Sequence, residues 1–166
     1  EEKEFLIAED IEGEEDIQQL RKRYAINSFT GRGTENFIVS DSMEIPAGKP
    51  SVTEVLRTDT KLSNLDCKVA DDKVVVKGEV NISTLYTSDD EERKIESVEY
   101  EIPFTQFIEI DGIEDDCGYE INCEITDALT SAQEDIDGEL RLLDSSIELT
   151  VDASGFRQIS VDSVAD

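Results

Sequence analysis

The side chains in this sequence that could do chemistry are almost all carboxylates. The 166 residues include 42 Asp and Glu against 15 Lys and Arg, and there is no histidine. Without imidazole, the Ser-His-Asp and Cys-His nucleophilic systems and histidine metal sites are excluded. Two carboxylates suffice for a glycosidase, but acids are so abundant that their presence indicates nothing, and there is no tryptophan to line a sugar cleft. We therefore expect no enzymatic activity; a carboxylate hydrolase with two close acids in a deep cleft is the rival interpretation.

Calcium binding is a second chemistry that clustered acids allow. The turns SDDEE at residues 88–92 and DGIEDD at residues 111–116 each place several hard oxygen ligands in a short loop. The D-x-D-x-D-G series with a distant glutamate is not found, and DIDGEL is more simply a hairpin turn. We predict solvated turn acids, with no metal site and no cofactor. A calcium-binding, extracellular adhesion-like β domain is the alternative function.

The cysteines indicate the redox compartment in which the chain folds, and the net charge indicates which classes of partner it favours. Cys67, Cys117 and Cys123 are an odd number without C-x-x-C spacing, which favours free thiols and folding in a reducing compartment. The formal charge of −27 repels nucleic-acid phosphates and anionic lipid headgroups, whereas it favours cations and basic protein surfaces. No apolar run approaches the ~20 residues of a membrane span. We therefore predict no nucleic-acid partner and no direct membrane insertion.

The N-terminal part of the chain has a helical pattern. In EGEEDIQQLRKRYAINSF the apolar residues Ile17, Leu20 and Tyr24 share one helical stripe, and acids precede the first turn while basic residues follow it, as the helix dipole favours. The glycine-containing TGRGTEN that follows is typical of a flexible joint. We predict that residues 1–35 form a linker strand and an N-terminal helical arm.

From Asn36 onward the hydrophobic period changes to two, the period of strands with one buried face. The clearest alternation puts Val74, Val76, Val80, Ile82 and Tyr86 on one face. Acidic and glycine-containing turns separate long hairpin arms of this kind. We predict an all-β domain over residues 36–153, an antiparallel sandwich or meander of long hairpins. Residues 154–166 are expected to be a C-terminal extension that leads to a next repeat.

The stretch EIPFTQFIEI is the most distinctive part of this β region. Pro103 cannot donate to a strand ladder, so it predicts an edge strand or a bulge. Phe104 keeps the core parity whereas Phe107 has the opposite parity, so this strand shows apolar groups to both sides. Two interpretations stay open, a strand covered by two layers or an exposed patch for a partner. Pro103, Phe104 and Phe107 are the candidate partner-contact residues.

Four stretches in a fixed order resemble the SPOCS domain of endospore-forming clostridia and their relatives. They are PAGKPS at residues 46–51, LRTDTKLSNLD at 56–66, DKVVVKGE at 72–79 and IPFTQF at 102–107. Domains of this family often occur in tandem, commonly ahead of a LysM module. The best-known member is a coat morphogenetic protein that works with the ATPase of the coat's basement layer. The resemblance supplies no catalytic residues.

The resemblance implies a non-catalytic protein–protein assembly module of a sporulation protein in the spore coat or envelope. The implied location is the mother-cell cytoplasm at the forespore surface. The implied partners are other coat or envelope proteins, with a coat morphogenetic ATPase among the candidates, and an oligomer is compatible with this role. No LysM module is visible in the sequence, so the resemblance assigns no peptidoglycan binding to these residues.

Overall fold

The protein structure, a computed structural model, describes residues 20–165. Over these residues it contains six strands and no helix. The strands are β1 Leu20–Glu44, β2 Val52–Ala70, β3 Lys73–Ser88, β4 Ile95–Glu109, β5 Gly118–Glu134 and β6 Leu140–Ala165. None of the described segments is a helix with the length and apolarity that crossing a membrane requires. The predicted all-β, antiparallel class is confirmed.

The strands form two three-stranded antiparallel sheets, in the orders β1-β6-β5 and β2-β3-β4. The second sheet is a meander of successive hairpins, whereas β1 pairs with β6 from the other end of the described chain. Each sheet therefore has two edge strands, β1 and β5 in one and β2 and β4 in the other. Pro103 lies in β4, so the edge strand that it predicts is confirmed.

The inward faces of the two sheets share the core. The alternation predicted for β3 is confirmed, because its buried residues are separated by residues that are more exposed. Side chains from both sheets are fully or almost fully buried, among them Val74, Ile82, Ile108, Ile147, Leu149 and Val151. Each such aliphatic side chain stabilises the fold by about 1.5–3 kcal/mol through removal from water.

The predicted helical arm is wrong for the part of it that the structure describes. Residues 20–29 are the first part of β1 and pair with the end of β6, where Tyr24 lies opposite Val161. Tyr24 and Ile26 also fit a period of two, and the long-range pairing with β6 decides between the two periods. The remainder of the predicted arm, residues 1–19, lies outside the described residues.

The predicted flexible joint TGRGTEN is also wrong, because it is part of β1. A bulge between Phe29 and Gly31 interrupts the β1–β6 register there. A Cβ added at Gly33 would lie 2.6 Å from the Ile108 Cγ2 and still closer to the Glu109 carbonyl oxygen. Glycine is therefore required at this position so that β1 can approach the end of β4.

The predicted boundaries at residues 35/36 and 153/154 fall inside strands. β1 runs without a break from Leu20 to Glu44, and β6 from Leu140 to Ala165. The division of the chain into residues 1–35, 36–153 and 154–166 stays a prediction.

Candidate binding surface

The three predicted contact residues lie on β4 but not on the same side of it. Phe104 is 8% exposed and packs in the core, with its ring centroid 5.6 Å from that of Phe37. Phe107 is 52% exposed, and Pro103 is exposed on the same outer face. The structure thus brings Pro103 and Phe107 together on one surface and places Phe104 beneath them.

Basic side chains surround Phe107. Val75 of β3 lies directly opposite Phe107, and Lys68 of β2 lies opposite Val75 on its other side. The Lys73 Nζ is 5.8 Å from the Phe107 ring centroid, a cation–π distance. Among the described residues, Lys68, Lys73 and Lys77 form no ion pair. We call Lys68, Lys73, Lys77 and Phe107 the basic end of the face.

The other end of the same face is acidic. Glu99 and Glu101 are exposed there, as their outward parity in the sequence predicts. Glu99 lies opposite Ser83 and Glu101 opposite Asn81, so neither has a basic residue directly across the ladder on β3. The outer face of the sheet therefore carries lysines around Phe107, with Glu109 directly opposite Lys73 and Asp66 opposite Lys77, and glutamates on the other side of Pro103.

A cleft lies beside the acidic end, where Met43 of β1 faces the sheet β2-β3-β4. Its first hollow, of about 600 Å³, extends across β2, β3 and β4, and its second, of about 540 Å³, lies between β1 and β4; Met43, Glu99 and Tyr100 line both. Ile82 lines the first hollow and Leu143 lines the second. The cleft thus combines apolar lining with a glutamate at its rim, and its size is typical of ligand sites.

A hydrogen-bonded series of hydroxyl groups fixes the floor of the cleft. The Tyr100 hydroxyl is 2.6 Å from the Ser145 Oγ, which in turn is 2.9 Å from the Thr130 Oγ1. Tyr100 belongs to β4, Ser145 to β6 and Thr130 to β5, so the series connects the two sheets. Because Ser145 is buried, these bonds hold the Tyr100 ring in place.

The sequence did not reveal this cleft. The parity of Tyr100 predicts that its ring faces inward, but nothing local predicts that Met43 of the other sheet lies beside it. The cleft exists because β1 and β4 are edge strands on the same side of the molecule, and that arrangement depends on long-range pairing.

The acidic turn at residues 111–116 is occupied by structural contacts. The Gly112 N–H donates to the Asp72 Oδ1 at 2.9 Å, and the Asp72 N–H donates to the Ile113 carbonyl oxygen at 3.2 Å. Ile113 is fully buried between the sheets and packs close to Gly155. This turn therefore joins β4 to β5 and anchors the crossing from one sheet to the other.

The acidic turn at residues 88–92 is held by its own hydrogen bonds. The Ser88 Oγ donates to the Asp90 Oδ1 at 2.8 Å. This bond is the main reason why the pKa of Asp90 lies below its usual value, with the backbone N–H of Lys94 contributing. Across residues 20–165, no group of three or more acidic or cysteine side chains is placed to hold a metal ion.

The family described as SipL, SPOCS domain matches residues 51–132. Residues 51–132 belong to the SPOCS domain family. The matched part of the chain contains β2, β3, β4 and most of β5, and thus the whole sheet that carries Phe107. The family associates the protein with sporulation. No curated protein and no solved structure matches the chain.

Proposed function

We propose that this protein is a non-catalytic assembly module of the spore coat. Its partners are other coat or envelope proteins, with a coat morphogenetic ATPase as one candidate, and it acts in the mother-cell cytoplasm at the forespore surface. Membership of the SPOCS family supports the sporulation context. The observation that carries the assembly role is Phe107, a half-exposed aromatic ring on the outer face of an edge strand.

The proposed contact uses the outer face of β4. Phe107 offers apolar area whose remaining burial is worth about 1 kcal/mol, half of what full burial of a phenylalanine gives. The basic end adds charge that orients a partner, and such complementarity governs specificity and association rate more than affinity. The net charge of −27 keeps free molecules apart until assembly.

The location of the full-length protein, fused to a fluorescent reporter, tests this proposal in sporulating cells. We expect a fluorescent shell that closes around the forespore. Fluorescence spread through vegetative cells, or export of the protein, would overturn the proposed role.

A further inference from the structure

The free edge of β4 is available beside the cleft. Within the described chain, β4 pairs with β3 alone. A proline on an edge strand directs its nitrogen to the unpaired side, and Ser97, Glu99 and Glu101 share the parity of Pro103. Because the N–H and C=O groups of one residue point to the same side, these three residues direct theirs to the free edge. Pro103 ends this run of donors.

A strand added at this edge would contact the apolar lining of the cleft on one face and the exposed glutamates of β4 on the other. Paired strands lie about 4.8 Å apart, so a strand beside residues 97–101 would extend over the cleft. Its inward side chains would meet Met43, Tyr100 and Leu143. Its outward side chains would lie next to Glu99 and Glu101 on the exposed face.

We propose that the cleft between β1 and β4 binds an extended segment of a partner protein in which basic residues alternate with apolar ones. The segment pairs with the free edge at residues 97–101, in the manner of strand addition. This inference rests on the proposed assembly function and names the chemistry of its partner.

Charge favours a basic partner segment over a second copy of the chain as the occupant of the cleft. Glu44, Asp59, Glu99 and Glu101 line the cleft together with Lys49 and Lys61, so its lining is acidic on balance, and the chain as a whole carries −27. A basic segment is attracted both by the long-range field and by these rim carboxylates. A second copy, with the same net charge, is repelled by both.

A heptapeptide of alternating lysine and valine, blocked at both ends, tests the proposal by isothermal titration calorimetry with the 166-residue chain. Glu101→Lys and Glu109→Lys are matched variants, because both glutamates are exposed and lie on β4 with the same parity. The two variant proteins therefore have the same net charge. We expect Glu101→Lys to weaken binding about tenfold, because a cross-strand attraction becomes a repulsion. Glu109→Lys, beyond Pro103, should change the Kd by less than about twofold. Equal effects of the two variants would overturn the proposal.

Two further probes test the backbone pairing without changing charge. Ser97→Pro removes one edge donor, and the same heptapeptide with alternate N-methylated amides removes the donors of the ligand. We expect each to weaken binding at least about tenfold. If the N-methylated peptide binds as well as the parent, the attraction is only electrostatic and strand addition is refuted. If the parent heptapeptide does not bind, this inference is overturned, whereas a forespore shell, and thus the proposed function, is left intact.

Discussion

A methyl group added at Gly33 is the most informative single perturbation of this fold. The new Cβ would lie 2.6 Å from the Ile108 Cγ2 and still nearer to the Glu109 carbonyl oxygen. Side chains can rotate away, but a backbone carbonyl can move only if the strand moves. Gly33→Ala must therefore separate the end of β4 from β1.

The expected loss in the free energy of unfolding is the difference between two opposing effects. Overpacking a tight core contact costs about 1–3 kcal/mol, and a backbone obstacle favours the upper end of that range. Alanine restricts the unfolded chain more than glycine does, and this effect alone raises the free energy of unfolding by about 0.4–1 kcal/mol. The net loss of about 2 kcal/mol lowers the melting temperature by roughly 4–8 °C for a chain of this size.

Thermal unfolding followed by circular dichroism measures this effect, with Gly48→Ala as the matched control. A Cβ at Gly48 meets no atom within 4 Å. We expect this control to melt within about 2 °C of the parent chain. If the two variants melt together, then β1 does not pack on β4, and residues 30–36 are the flexible joint that the sequence suggests.

Three further outcomes follow from the burial and hydrogen bonds of single residues. Phe104→Ser should destabilise the fold by about 3–5 kcal/mol in urea unfolding, whereas Phe107→Ser should cost less than about 1 kcal/mol; equal losses would contradict their placement on opposite faces. In a carboxyl NMR titration of the folded chain, Ser88→Ala should raise the pKa of Asp90 towards its usual value; an unchanged pKa would rule out the Ser88 bond as the main cause. Because its folded pKa is lowered, the stability that Asp90 contributes is present above its unfolded pKa and is lost as pH falls through its folded pKa. Burial raises the pKa of the Cys123 thiol, so its alkylation by iodoacetamide at pH 8 should be slower than in urea; equal rates would contradict this.

Strand faces were predictable from the sequence because they depend on neighbours along the chain. The alternation around Val80 assigns each side chain of β3 to one face, and a shift by one residue would bury lysines. The same logic places Phe104 on the core face and Phe107 on the opposite face, although only the structure shows that this opposite face is exposed. Pro103 predicts an edge strand or a bulge because a proline removes a ladder donor wherever it lies.

The hairpins of the second sheet were predictable because they join consecutive strands, but the pairing of β1 with β6 was not, because it joins residues far apart in the chain. Tyr24 fits a helical stripe as well as a strand, and only its pairing opposite Val161 decides between them. Gly33 resembles a loop glycine until β4 is brought against it. The cleft depends on the same long-range arrangement, since Met43 and Tyr100 belong to different sheets.

Whether β4 carries the assembly contact is tested most directly by comparing two variants of the full-length fluorescent protein in sporulating cells. Phe107→Ser removes the exposed ring of β4, and Leu129→Ser removes an exposed apolar side chain of β5, which is 66% exposed in the other sheet. With both variants present at the level of the parent protein, we expect Leu129→Ser to form a shell at the forespore and Phe107→Ser to be diffuse in the mother cell. A Phe107→Ser shell that cannot be distinguished from the parent shell would contradict the proposed contact.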